Sequence, residues 1–210
     1  MLEVRNIAFG YVKTPVLRDV NLVVSPGEVV SLTGANGCGK TTLMRLMATL
    51  LVPTAGQVVF DGKDAFADPL KYRRQLGYLP EKVALYEDMS VKEYLTYRAR
   101  IKGEVAKRIR RRVGEAAALA RIENLLRKPI KNLSYGLKKR VALADAFLLR
   151  PRILLLDDFL SGLDLEMREA MDDILKEAAA FSSVLTTGHE LEEMRKWSSR
   201  VVRLEGGRVI

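Results

Sequence analysis

Eight residues in the first quarter of the chain have the types and order needed to hold a phosphate. Gly34-Ala35-Asn36-Gly37-Cys38-Gly39-Lys40-Thr41 fits the pattern G-x-x-x-x-G-K-[ST], directly after the strand-like run Val29-Val30-Ser31-Leu32 and directly before a helical pattern. Glycines let backbone N–H groups turn inward around phosphate oxygens, and the following helix presents its positive end. Lys40 reaches the outer phosphates, and the Thr41 hydroxyl can ligate Mg²⁺, with Thr42 next on the same helix. An accidental glycine turn matches this pattern at only about four positions per hundred thousand, so the functional reading wins. A second chemical feature is Ile153-Leu154-Leu155-Leu156-Asp157-Asp158, two carboxylates at the end of an apolar strand, where a parallel sheet has its ligand crevice. Asp157 suits Mg²⁺ and Asp158 suits an attacking water. The plainer role for Asp158, capping the helix near Leu165, fails because seven residues separate them.

Both features need strands that end at one edge of a sheet. Val16 to Val24 and Glu28 to Thr33 are strand-like around the turn Ser25-Pro26-Gly27, and the N-terminus shows the same alternation. Further short aliphatic or β-branched runs cover Gln57 to Phe60, Leu76 to Leu79, Ile153 to Leu156, Val184 to Thr187 and Val201 to Leu204. Helical spacing fills Thr41 to Leu51, Val91 to Lys102, Glu104 to Ala120, Leu137 to Leu149, Leu165 to Ala180 and Glu190 to Ser198. This alternation predicts an α/β protein with a mainly parallel sheet and helices on both sides. The segment from about Lys82 to Asn132 is mostly helical and interrupts the alternation, so it reads as a helical subdomain inserted into one domain spanning 1–210. After the turn Leu204 to Arg208 the chain offers no room for a further C-terminal domain.

Composition sets outer limits. With 48% hydrophobic and 29% charged residues the chain can bury a core, and no run approaches the roughly 18 apolar residues of a spanning helix. The N-terminus lacks a signal-peptide pattern, and Cys38, without a disulfide partner, fits a reducing cytosol. A single histidine, His189, excludes a histidine-built metal cluster. The net charge of +9 is compatible with nucleic acid, an anionic membrane or phosphate ligands, and the dense run Lys107 to Arg112 reads first as a solvated helix face.

With the phosphate loop in place, the remaining motifs follow one family order over essentially the whole chain, and the sequence resembles the nucleotide-binding domains of ABC transporters. Leu133-Ser134-Tyr135-Gly136-Leu137 is similar to that family's signature L-S-G-G-Q, and Ser161-Gly162-Leu163-Asp164 to its D-loop. His189 falls after a strand where the family has its switch histidine, and Tyr11 matches the aromatic that stacks on adenine. The resemblance implies a P-loop NTPase core with an N-terminal antiparallel β subdomain, and it implies ATP and Mg²⁺ as cofactors. It also implies a head-to-tail pair in which Ser134, Tyr135 and Gly136 meet ATP held by the opposite subunit. Catalytic roles then fall to Asp158 and His189, and Glu81 joins Thr41 and Asp157 around the metal. A separate transmembrane permease is the implied partner, placing the chain peripherally on the cytoplasmic face of the membrane.

Three motifs depart from the family pattern. Tyr135 stands where the signature has a second glycine and Leu137 where it has glutamine; Asp158 stands for the catalytic glutamate, one methylene shorter; and Glu81 stands for the glutamine of the loop facing the membrane partner. Glu81 after Tyr78-Leu79-Pro80 resembles subunits of exporter-like systems, so export is the expected direction. Other functions stay open on sequence alone: a non-transport ATPase on ribosomes or nucleic acid, or an ATP-gated clamp that scarcely hydrolyses. Nucleic acid is not the expected partner, because such relatives carry paired domains or a long coiled coil that this chain lacks.

Overall fold

The computed structural model describes residues 1–12, 14–188 and 194–210. It begins with β1 (Leu2–Tyr11), β2 (Thr14–Val24), β3 (Val29–Thr33), α1 (Lys40–Met47), β4 (Ala55–Phe60), β5 (Lys63–Asp64), the short α2 (Pro69–Arg73) and β6 (Leu76–Leu79). Helices α3 (Val91–Ile101) and α4 (Ala106–Leu119) and two 3-10 turns follow, before α5 (Tyr135–Phe147). Then come β7 (Ile153–Leu156), α6 (Leu165–Ala179), β8 (Ser183–Thr187), β9 (Arg200–Glu205) and β10 (Arg208–Val209).

Strand alternation decides the layering. In β7, Ile153 and Leu155 face one core, whereas Leu154 and Leu156 face another, which is why this strand is apolar throughout. The first core joins the sheet to α1, through Leu43, Met44 and Met47, and to the N-terminal strands, through Leu2, Ile7 and Val20. The second joins it to α5, α6 and the α3–α4 helices, through Phe147, Met171, Leu95 and Val113. One sheet runs β10-β9-β3-β8-β7-β6 and is parallel except at the β10 edge; the other runs β2-β1-β4-β5 and is antiparallel. The α/β class, the mainly parallel sheet and the antiparallel N-terminal strands agree with the sequence reading.

Local signals explain most boundaries and the differences. Ser90 begins α3 with a capping box to Glu93, and Asp164 begins α6 by accepting from Met167 N at 2.9 Å. α1 stops at Met47 rather than Leu51, because Thr49 turns into the left-handed region at φ 56° and Leu50 N returns to Arg45 O at 2.8 Å. The sequence reading missed α2, where Asp68 accepts from Lys71 N and Pro69 occupies the first turn. Residues 190–193 of the helix expected over Glu190 to Ser198 lie outside the described residues.

Register brings the site together. Leu156 pairs with Leu79 on one side and Thr186 on the other, while Leu32 pairs with Thr187. The strand ends that precede the phosphate loop, Glu81, Asp157 and Gly188 therefore reach one edge of the sheet.

Candidate active site

Gly39 and Gly37 show why the phosphate loop needs glycine. Gly39 closes the loop at φ 111°, and a Cβ there would lie 2.8 Å from Leu17 Cδ2 of β2. Gly37 sits at φ 76° with nothing within 4 Å of such a Cβ, so its backbone faces open space. Lys40 is buried at 8% exposure and spans the loop, its Nζ donating to Gly34 O at 2.7 Å and Ala35 O at 3.0 Å. An incoming phosphate would exchange those neutral acceptors for charged ones.

The acidic pair sits opposite. Asp157 is 1% exposed, and its Oδ1 accepts from Thr187 Oγ1 at 2.7 Å and Thr41 Oγ1 at 3.2 Å. Its Oδ2 is buried without a hydrogen-bond partner among the described residues. Burial, and secondarily the charges of Glu81 and Asp158, push the Asp157 carboxyl above the usual range despite the two hydroxyl donors. A divalent cation would supply the missing partner, and the donor set of one carboxylate and one hydroxyl suits Mg²⁺. That ion takes one or two protein ligands and completes its shell with phosphate and water. No group of three His, Cys, Asp or Glu among the described residues is placed to cage a metal.

These groups line one cavity of about 500 Å³, which contains Asn36, Lys40, Thr41, Asp157, Asp158 and Glu81. Gly37, Gly39 and Thr42 contribute to the same wall. Cys38 does not; it packs against the core shared with the N-terminal strands. Tyr11 is also outside it, 44% exposed near the β1–β2 turn with its ring edge-on to Phe9 at 5.0 Å. His189 lies outside the described residues. Asp158 is half-buried at φ 45°, in the left-handed region that aspartate enters more readily than most residues.

Thr187 and Lys139 were not singled out from sequence, and Ser161, which also lines the cavity, entered only as the first residue of the D-loop-like run. Thr187 both donates to Asp157 and accepts from Asp158 N at 2.9 Å, so one hydroxyl holds the two acids. A threonine pair ending a strand that pairs with β7 was the available signal. Ser134 caps α5, accepting from Leu137 N at 3.4 Å, while Ser134 and Tyr135 are exposed. Ser134, Tyr135 and Gly136 do not line the cavity of their own chain. Leu137 is half-buried and packs on the helical core.

A family model for the ABC transporter matches residues 17–161, from β2 through the phosphate loop and signature to the acidic pair. The chain belongs to the ABC transporter family. The spermidine/putrescine import ATP-binding protein PotA of Legionella pneumophila (strain Lens) is 36% identical over 211 residues, covering 100% of this chain. The chain spans 58% of that relative's length. Among solved structures, cbiO1 from Clostridium perfringens, titled as part of the complex cbiONQ, superposes with a TM-score of 0.89 at 29% identity. That match covers 100% of this chain and 86% of cbiO1. The dimeric bacterial cassette MJ0796 gives 0.88 at 26% identity, covering 100% and 96%. The fold is therefore that of the family's ATPase cassettes. The expectation of export drawn from Glu81 is corrected here: the curated relatives PotA and the Fe(3+) protein FbpC of Escherichia coli O157:H7 are named as import proteins. A single residue after Tyr78-Leu79-Pro80 is too small a marker to outweigh similarity across the whole chain.

Proposed function

We propose that this chain is the ATP-binding and ATP-hydrolysing subunit of an ABC transporter, acting in a head-to-tail pair and driving a separate membrane-spanning chain from the cytoplasmic face. The observation that carries this reading is the buried, unpartnered Oδ2 of Asp157 beside the Thr41 hydroxyl and Lys40, in a cavity that Asp158 also lines. A carboxylate buried this way costs stability unless a ligand completes it.

Backbone N–H groups from Asn36 to Thr42 and Lys40 Nζ would hold the β- and γ-phosphates. Thr41 and Asp157, with Glu81 nearby, would hold Mg²⁺, which would offset phosphate charge when bound. Asp158 orients a water in line with the γ-phosphorus and accepts its proton as the oxygen attacks, while the bond to the ADP oxygen breaks. Tyr11 would stack on the adenine, and His189 would help position the γ-phosphate. The exposed start of α5 would present Ser134 and the Gly136 backbone to nucleotide bound by a second copy or a related domain.

Docking to the membrane chain falls to the segment from about 82 to 132. A second cavity of about 490 Å³ is lined by Pro80 and Lys82, the chain neighbours of Glu81, together with Leu50, Tyr86, Tyr94 and Arg98. Its aromatic lining suits an inserted apolar helix end with a polar tip. The deciding measurement is Mg²⁺-dependent phosphate release from ATP. Wild type should turn over and lose activity in EDTA, and Lys40→Ala should lose both ATP affinity and turnover by at least about a hundredfold. Unchanged affinity and turnover in Lys40→Ala would overturn the assignment.

A further inference from the structure

The loop carrying Asp158 is held from two sides, and only one of them is the sheet. Asp158 N–H is taken by Thr187 Oγ1 at 2.9 Å. The Asp158 carbonyl is taken by Lys139 Nζ at 3.2 Å, from the second turn of α5. The same ammonium donates to Phe159 O at 3.2 Å and Ser161 O at 2.5 Å, so its three protons all go to backbone of this one loop. Lys139 is 1% exposed. Burial pulls its pKa down, against the opposing charges of Asp158 and Glu81. The Tyr135 ring lies 5.3 Å from Nζ and covers Gly162, where an added Cβ would be 3.2 Å from Tyr135 Cε1. An apolar side chain would fill this space at less desolvation cost, so packing does not account for a lysine.

We infer that Lys139 is a positioning residue for hydrolysis, acting through the Asp158–Ser161 backbone, and that Tyr135 shields it from water. This rests on the reading of Asp158 given above. Asp158 holds a left-handed backbone, φ 45°, that a free loop would seldom retain. Pinning the peptide groups on both sides of that residue fixes where its carboxylate points. Lys139 is not among the residues that line the phosphate-loop cavity, so its removal should slow the chemical step and leave ATP binding alone. A displacement of about 1 Å in a catalytic group can cost about a hundredfold.

The test compares wild type, Lys139→Met and Lys139→Gln for kcat, KM and affinity for a fluorescent ATP analogue. Methionine keeps the length without donors, and glutamine restores two donors without charge. We expect Lys139→Met to lose at least about tenfold in kcat with KM and nucleotide affinity within about twofold, and Lys139→Gln to recover most of that loss. Unchanged kcat in Lys139→Met overturns the inference. So does joint loss of kcat, nucleotide affinity and melting temperature in both variants, which marks a purely structural lysine. Wild type without any turnover overturns the functional reading, and this inference falls with it; turnover in wild type with an unaffected Lys139→Met overturns the inference alone.

Discussion

Two cavities of nearly equal size, about 500 and 490 Å³, flank the segment from Tyr78 to Glu81 and treat their buried carboxylates in opposite ways. In the phosphate-loop cavity Asp157 keeps one oxygen without a hydrogen-bond partner among the described residues. In the groove beside it both oxygens of Asp145 have a partner: Oδ2 has Arg98 Nε at 3.0 Å and Tyr94 OH at 3.4 Å, and Oδ1, which takes no hydrogen bond, has the Lys102 ammonium as an ion pair at 2.8 Å. Lys102 Nζ also donates to the Asp145 carbonyl. A group left incomplete by its own chain points to a ligand, whereas a completed one fixes a surface. Both acids meet α5 or its contacts: Asp145 is on that helix, and Lys139 from it holds the backbone next to Asp157. The helix that opens with Ser134 therefore braces both cavities.

The largest effect should come from the catalytic side of this contrast. Asp158→Asn keeps size and backbone preference but loses the proton acceptor, so phosphate release should fall by about a hundredfold or more with ATP binding retained. Asp158→Glu should be faster than wild type, since its extra methylene extends reach toward the γ-phosphate. The left-handed backbone at 158 is the structural alternative route to the same reach. A slower Asp158→Glu would show that this backbone has already placed aspartate at its optimum. Asp158→Asn turning over at the wild-type rate would remove Asp158 from the mechanism.

On the completed side, Asp145→Ala should act on stability first. It leaves Arg98 and Lys102 with side-chain exposures of 31% and 22% and no carboxylate between them. Breaking a fully buried pair costs about 3–5 kcal/mol, and partial solvent access reduces this to about 2 kcal/mol here. For a chain of this size that is a fall of about 4–8 °C in melting temperature, readable by calorimetry. Asp145→Asn should lose less, because its carbonyl still accepts from Arg98. An Asp145→Ala protein that melts with wild type would mean that the groove is held by its tyrosines and apolar residues, and the contrast between the cavities would weaken.

Much of the open cavity was legible in sequence, and little of the closed one was. Gly34 to Thr41 declares itself because backbone geometry demands glycine, lysine and a hydroxyl at fixed local spacing. Asp157 and Asp158 stood out because they end an apolar strand. Thr187 and Lys139 went unnoticed, since their partners are 29 and 19 residues away, and only strand register and helix packing bring them together. The same holds for Asp145, whose pairing to Arg98 spans 47 residues, although a lone acid within the buried run Val141–Phe147 was a signal. The parallel sheet was readable from alternating strands and helices. The end of α1 was not, because Thr49 reverses the chain where Leu50 and Leu51 continue the apolar pattern. Tyr11 and the signature residues do not line the cavity of this chain, so in the proposed function the signature completes its site only with a second domain.

The smallest effect is also the sharpest probe of the unpartnered oxygen. Asp157 has a carboxyl whose pKa is raised by burial first and by Glu81 and Asp158 next. A carboxyl with a raised folded pKa favours the folded state at pH below its unfolded value. That advantage is lost as pH rises through the folded pKa, and the penalty is present at pH above it. Asp157→Asn removes the charge while its carbonyl still accepts from Thr187 and Thr41, although the amide then lacks an acceptor where Oδ2 stood. The charge costs more than the amide, so the nucleotide-free variant should melt about 1–3 °C above wild type at pH 7. The gap should close as pH is lowered toward the range where wild-type Asp157 protonates. Adding Mg²⁺ and ATP should invert the order, because a ligand that binds the folded state stabilises in proportion to its affinity, and asparagine is the poorer metal ligand. A variant that gains as much as wild type from Mg²⁺ and ATP would show that the metal sits elsewhere. A variant less stable than wild type at pH 7 without ligand would show that Oδ2 is not the incomplete group on which this reading depends.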